Sequence, residues 1–72
     1  MNKKNKIKIV VNGKLLTVKL KFSLKNLMEK LKTPINKVAI ELNEEIVDKK
    51  KLNKIFLKNK DKIEIVHFIG GG

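Results

Sequence analysis

Residues 6–20 read KIKIVVNGKLLTVKL. On both sides of Asn12-Gly13, apolar residues occupy alternate positions, which is the pattern of two half-buried strands. The Asn-Gly dipeptide readily takes the positive φ values of a type I′ turn, the strongest short-range signal for a hairpin. The stretch therefore predicts an antiparallel β-hairpin with one apolar face. That face comprises Ile7, Ile9, Val11, Leu16, Val18 and Leu20.

A single amphipathic helix is predicted directly after the hairpin. Ser23 is a favourable N-cap residue, and the apolar residues that follow recur with helical spacing. Pro34 ends the pattern, because the residue before a proline is pushed out of the α region. We expect a helix over about residues 24–32. Its apolar stripe is Leu24, Leu27, Met28 and Leu31.

The remaining elements predict a mixed sheet. Residues 37–43 alternate as a strand, residues 46–47 form a very short strand, and Asp48 can cap a helical turn. The last strand is KIEIVHFI, residues 62–69. One helix covering one face of a four- to five-stranded mixed sheet is an α+β arrangement, and this order of elements favours a β-grasp. The first strand and the last strand would then lie side by side and parallel at the centre.

The composition restricts the chain to one small domain. It has 72 residues, no cysteine and one histidine, which excludes disulfides, thiolate metal sites and a histidine metal cluster within one chain. No apolar run approaches the roughly 20 residues that span a bilayer, and lysines interrupt the N-terminus too early for a signal peptide. We expect a soluble, cytoplasmic, monomeric protein over residues 1–72. Residues 1–5 are expected to be a disordered extension.

The net charge of +11 raises the possibility of nucleic-acid binding. All the basic residues are lysine, however, and they are spread along the whole chain. Arginine is the residue expected where phosphate or guanine is gripped bidentately, and only three phenylalanines are available for base stacking. Solvated lysines in a compositionally biased protein explain the charge better, and a small basic nucleic-acid-binding domain is kept as an alternative from another class.

No residue inside the predicted fold has the neighbours that catalysis needs. His67 lies between Val66 and Phe68 in sequence, without a serine or paired acid, and Ser23 is explained as a helix cap. The acidic residues are scattered along the chain. We therefore expect no catalytic residue, no metal site and no bound cofactor in this chain.

The last three residues carry the chemistry instead. Gly70, Gly71 and Gly72 follow the final strand without a spacer. Because glycine has no Cβ, such a tail is flexible and can thread into a narrow channel against another protein's backbone. A free carboxylate at Gly72 is a poor electrophile, but ATP converts a carboxylate to an acyl-adenylate, from which a sulfur nucleophile can displace AMP.

Four stretches of the chain resemble the ThiS family of sulfur carriers in thiamin thiazole biosynthesis. They are IVVNG at residues 9–13, the helix with its Leu/Met stripe, VAIELNEEIV at residues 38–47, and DKIEIVHFIGGG at residues 61–72. The last two stretches are the specific ones, since many hairpins and helices share the first two. Together the four cover most of residues 7–72.

The resemblance implies a ubiquitin-like β-grasp fold and a role as a protein co-substrate. A ThiF-type enzyme would adenylate Gly72 with ATP and magnesium, and the glycine would become a thiocarboxylate with sulfur derived from a cysteine desulfurase. Thiazole synthase, ThiG, would take that sulfur. One departure from the family pattern is Lys60, which stands where glycine usually precedes the aspartate of the last turn. If that turn needs positive φ, Lys60 is strained.

Two alternatives share the fold and the tail. A MoaD-like carrier of molybdopterin synthesis usually has prolines before its glycines, whereas residues 67–69 contain none. A ubiquitin-like modifier would instead attach Gly72 to lysines of target proteins.

Strand alternation also predicts a partner-binding patch on the face that the helix leaves open. If Ile7, Ile9 and Val11 face the helix, their neighbours in sequence face the other way. We expect one contiguous apolar patch leading to the tail, because exposed apolar clusters commonly mark partner sites. Its members are Val10, Ala39, Val66 and Phe68.

Overall fold

The computed structural model describes residues 5–68; residues 1–4 of the expected extension and residues 69–72, which include the expected glycine tail, lie outside the described residues. The expected disorder is wrong for Asn5, because its carbonyl accepts a hydrogen bond from the Leu20 N–H at 2.7 Å. Five strands, one α-helix and two 3₁₀ helices make up the described part. The strands are β1 (Lys6–Val11), β2 (Lys14–Lys19), β3 (Val38–Leu42), β4 (Glu45–Ile46) and β5 (Lys62–His67). The α-helix α1 spans Leu24–Leu31, and the 3₁₀ helices span Ile35–Lys37 and Lys49–Lys54.

The sheet has the predicted mixed order. Its strands run β2-β1-β5-β3-β4, with β1 and β5 parallel at the centre and every other pair antiparallel. The α+β, β-grasp prediction is therefore confirmed, including the position of the last strand between the first and the third. Among the described residues, no helix is long and apolar enough to cross a membrane.

The core lies between α1 and one face of the sheet. Ile9, Ile40 and Ile63 come from three adjacent strands and are fully buried, as the alternation predicts. Two expected core residues differ. Leu20 lies just beyond the end of β2 and stays 47% exposed, and Leu31, at the last position of α1, stays 37% exposed. Both lie at the ends of elements, where neighbouring structure covers only one side of a side chain.

The start of α1 is fixed by a reciprocal cap. The Ser23 hydroxyl accepts a hydrogen bond from the Asn26 backbone N–H at 3.0 Å, and the Asn26 side chain accepts one from the Ser23 backbone N–H at 3.0 Å. The two bonds satisfy donors that would otherwise be orphaned at a helix start. Ser23 is buried, so its hydroxyl has a structural role and the prediction of a cap is confirmed.

Both tight hairpins use residues with positive φ. Asn12 (φ 48°) and Gly13 (φ 82°) connect β1 to β2, as the Asn-Gly signal predicts for a type I′ turn. Asn43 (φ 50°) and Glu44 (φ 72°) connect β3 to β4 in the same way. Glutamate carries a Cβ into a region that favours glycine, which strains the second turn.

Asp61 organises the turn before β5. It is 9% exposed, and its carboxylate accepts hydrogen bonds from the Lys58 backbone N–H at 2.7 Å and the Asn43 side-chain amide at 3.0 Å. Its backbone carbonyl accepts a third bond, from the Val10 N–H at 2.9 Å. One side chain thus joins the turn before β5 to the turn after β3, and its backbone joins both to β1.

Lys60 has φ 76° in this turn, so the strain expected at this departure from the family pattern is present. We predict that Lys60→Gly raises stability by about 1 kcal/mol, because it removes the Cβ from a left-handed conformation. For a domain of this size that corresponds to a rise of roughly 4–8 °C in thermal midpoint.

The matched control is Lys58→Gly in the same turn, since Lys58 is not among the residues with positive φ. Lys58→Gly should lower the thermal midpoint, because glycine adds backbone freedom to the unfolded chain without relieving any strain in the folded one. An equal fall in the thermal midpoint of both variants would contradict the strain assigned to Lys60.

Candidate functional site

The chain remains attached to the sheet up to Phe68, the last described residue. The Phe68 backbone N–H donates a hydrogen bond to the Lys37 carbonyl at 3.0 Å, which extends the pairing of β3 with β5 beyond His67. Gly70, Gly71 and the predicted reactive carboxylate of Gly72 lie outside the described residues. Their roles stay predictions, while the structure shows the platform from which the tail departs.

Apolar side chains stand on the open face beside this departure point. Val66 pairs directly with Ala39, and alternation places Phe68 on the same face as Val66. Val66 is 54% and Phe68 59% exposed, whereas Ala39 is half-buried. Large apolar side chains at this exposure lie away from the core and are available to a partner.

The expected contiguity is wrong for Val10. Parallel register pairs Val10 with Lys62, and Val66 lies four residues further along β5, about 13 Å away at roughly 3.3 Å per residue. Glu64, paired with Glu41, occupies the open face between them. Val10 shares the open face but is half-buried opposite Leu15 of β2, so it does not belong to the surface beside the tail.

Ile46 joins the surface instead, and sequence reasoning missed it. It pairs with Glu41, two residues from Ala39 on the open face, and diagonal neighbours of this kind lie about 7–8 Å apart. At 77% exposed, it is the most exposed large apolar residue described. Its place became visible only once the register of the edge strand β4 was known. Together these residues form the tail-side patch: Ala39, Ile46, Val66 and Phe68.

Lys49 contacts the patch from the second 3₁₀ helix. Its Nζ lies 5.2 Å from the centroid of the Phe68 ring, within the range of a cation–π interaction. Such contacts contribute about 0.5–1 kcal/mol at exposed sites. The contact joins the base of the tail to the second 3₁₀ helix.

No catalytic constellation accompanies these features in the part of the chain that the structure describes. His67 is exposed and pairs with Val38 on β3, and the Ser23 hydroxyl is engaged in the helix cap. Within residues 5–68, no group of three or more histidine, cysteine, aspartate or glutamate side chains is placed to hold a metal ion. The tail-side patch is therefore the candidate functional surface.

Sequence comparison connects this fold and tail to a known family. The profile described as the ThiS family matches residues 9–72, a range that includes the three glycines. The chain belongs to the ThiS family. A solved relative agrees: the crystal structure of the thiamine biosynthesis protein ThiS from Geobacter metallireducens superposes with a TM-score of 0.79 at 30% identity. That match covers 92% of this chain and 100% of the other.

Similar curated proteins carry two kinds of name. Over 66 residues, 92% of this chain, it is 38% identical to a thiazole synthase of Paramagnetospirillum magneticum and 36% identical to one of Magnetococcus marinus. The chain spans only 20% of the length of each. It is also 49% identical over 35 residues to the sulfur carrier protein ThiS of Bacillus subtilis, covering 49% of this chain and 53% of that one. These names favour the ThiS resemblance over a MoaD-like carrier.

Proposed function

We propose that this protein is a sulfur carrier of thiamin biosynthesis whose working group is the C-terminal carboxylate of Gly72. The observation that carries the proposal is the ThiS family match, which runs through residue 72. The proposal takes Gly72 as the last residue of the working protein. The protein is then a co-substrate, and the enzymes that act on it supply the catalytic residues.

The proposed chemistry has three steps. A carboxylate oxygen of Gly72 attacks the α-phosphorus of ATP, and pyrophosphate leaves to give an acyl-adenylate. A persulfide sulfur then attacks the carbonyl carbon, and AMP leaves with the electron pair of the broken C–O bond. A thiol cleaves the resulting S–S bond, which releases the thiocarboxylate on Gly72 and oxidises the thiol to a disulfide. ATP and magnesium belong to a ThiF-type activating enzyme, and the sulfur derives from a cysteine desulfurase. A partner that consumes ATP makes the cytoplasm the expected compartment.

Glycine suits the first two steps on steric grounds. A tail without Cβ atoms can extend through a narrow channel into the activating enzyme, with its backbone close to the channel wall. It also leaves the carbonyl carbon unhindered. Since Phe68 is still hydrogen-bonded to Lys37, only the residues beyond it need to enter the channel. Gly70 and Gly71 are the proposed threading residues.

Thiazole synthase is the proposed acceptor of the sulfur. In two relatives, a stretch similar to this chain makes up a fifth of a protein called a thiazole synthase. A stretch similar to this chain inside proteins with that name supports an encounter between this chain and a separate thiazole synthase. We propose that both the activating enzyme and the synthase approach through the tail-side patch, since it borders the tail.

Deleting Gly72 tests the reactive group directly. We predict that the shortened chain supports no ATP–pyrophosphate exchange by the activating enzyme, while its thermal midpoint stays unchanged, because the deletion lies beyond the core. Gly71→Ala should slow exchange without abolishing it, because its Cβ enters the channel. Undiminished exchange after deletion of Gly72 would contradict the carrier function.

Replacing Phe68 tests the docking surface. We predict that Phe68→Ala weakens binding to the activating enzyme and to thiazole synthase by about 1–3 kcal/mol, measured by calorimetry, as expected for a modest hot spot. Thermal stability should change less, because Phe68 is 59% exposed.

The matched control is Leu15→Ala, which removes a 68% exposed apolar side chain from the same sheet face outside the tail-side patch. It should leave both affinities unchanged. Equal effects of the two variants, or an unfolded Phe68→Ala protein, would refute the assigned surface.

A further inference from the structure

A groove runs along α1 on the side of the sheet opposite the tail-side patch. Two neighbouring hollows of about 370 and 220 Å³ form it, and both are lined by Lys25 of α1 and Ile35 of the first 3₁₀ helix. The larger hollow lies along the C-terminal half of α1 and the loop that follows. The smaller lies between α1 and the second 3₁₀ helix. The two hollows therefore lie side by side along one flank of α1, with Lys25 and Ile35 between them.

The floor of the groove is apolar and its rim is basic. Met28 and Leu52 line it from the buried core, and Ile35 lines it while 41% exposed. The charged lining residues are Lys25, Glu29, Lys32 and Lys49. Three lysines against one glutamate give the rim a net positive charge, so the groove complements an apolar group flanked by negative charges.

We propose that this groove is a second docking site, which takes an acidic segment of a partner protein that inserts an apolar side chain beside Ile35. The proposal rests on the carrier function, since it concerns how the carrier meets its partners. A protein segment fits better than a small molecule, because the groove is open along its length and small ligands need most of their surface enclosed. No aromatic side chain lines either hollow for a nucleic acid base to stack on.

Lys49 links this groove to the tail. It lines the smaller hollow, and its Nζ also lies over the Phe68 ring. A carboxylate bound at the rim would attract the same ammonium group that contacts the base of the tail. A segment bound in the groove would therefore weaken the contact between Lys49 and the Phe68 ring.

A second docking site would help the carrier pass from the activating enzyme to thiazole synthase. Partners that share the tail-side patch must exclude one another, so the carrier would have to dissociate fully between activation and sulfur delivery. A site on the opposite side allows one of the two partners to keep hold of the carrier by the groove after it has released the tail-side patch to the other. Substitutions in the groove should therefore weaken one partner, whereas substitutions in the patch weaken both.

Two substitutions test the groove, each with a matched control. Lys25→Glu reverses a rim charge in the first turn of α1, where an acidic residue favours the helix, so lost binding would not reflect a weakened helix. Its control is Lys30→Glu, an exposed residue of α1 that does not line the groove. Ile35→Ser removes the exposed apolar floor, and its control is Leu15→Ser, which changes an exposed apolar residue outside both the groove and the tail-side patch.

The measurement is calorimetric binding of the purified activating enzyme and of purified thiazole synthase to each full-length variant, at low and high salt. We expect Lys25→Glu and Ile35→Ser to weaken one of the two partners about tenfold, while Lys30→Glu leaves that affinity unchanged. The effect of Lys25→Glu should shrink at high salt. Leu15→Ser should leave both affinities unchanged, because Leu15 belongs to neither the groove nor the tail-side patch.

Unchanged affinity for both partners in Lys25→Glu and Ile35→Ser overturns the groove proposal. So does binding of the wild-type chain to phosphatidylglycerol vesicles that both variants abolish without affecting either protein partner. Pyrophosphate exchange with the wild-type chain separates the two hypotheses. Its absence refutes the carrier function, whereas normal exchange with no effect of the groove variants refutes only the groove.

Discussion

The parallel pairing of β1 with β5 is the contact on which the rest of the structure depends. Backbone bonds from Val10 to Asp61 and from Asn12 to Ile63, each 2.9 Å, bring the two ends of the described chain to the centre of one sheet. The main chain of β1 then turns away, and the Asn12 side chain continues the pairing, accepting from the Ile65 N–H at 2.7 Å. Once β5 is fixed there, its buried residues complete the core and its last residues lead to the tail.

In this arrangement, one part of β5 packs in the core and another part is exposed at the proposed docking surface. Ile63 and Ile65 of β5 are buried against α1, whereas Val66 and Phe68 are exposed beside the tail. The sheet holds the strand rigidly up to the Phe68–Lys37 hydrogen bond, so a partner can bind a fixed surface and receive a chain end without side chains. The fold tolerates strain elsewhere. Outside Gly13, six described residues have positive φ, among them Lys21, Lys32 and Lys60.

Local signals in the sequence predicted the fold because each depends on neighbouring residues. Asn12-Gly13 determines its own turn, Ser23 caps its own helix, and alternation assigns the faces of each strand. Register between distant strands is not a local property. The observed register places Val10 beside Lys62, away from Phe68, and places Ile46 beside Glu41, close to Ala39 in the tail-side patch. The Lys49 contact with Phe68 and the groove beside α1 likewise arise from packing between separate elements, which no spacing in the sequence encodes.

Intact mass spectrometry shows whether the chain end itself carries the sulfur. The protein is incubated with the activating enzyme, magnesium–ATP, a cysteine desulfurase, cysteine and a thiol reductant, and its fragments are then sequenced by mass. We expect a mass increase equal to the difference between one sulfur and one oxygen atom, confined to Gly72. An unchanged terminus, or Gly72 joined to lysines of other proteins, would contradict it.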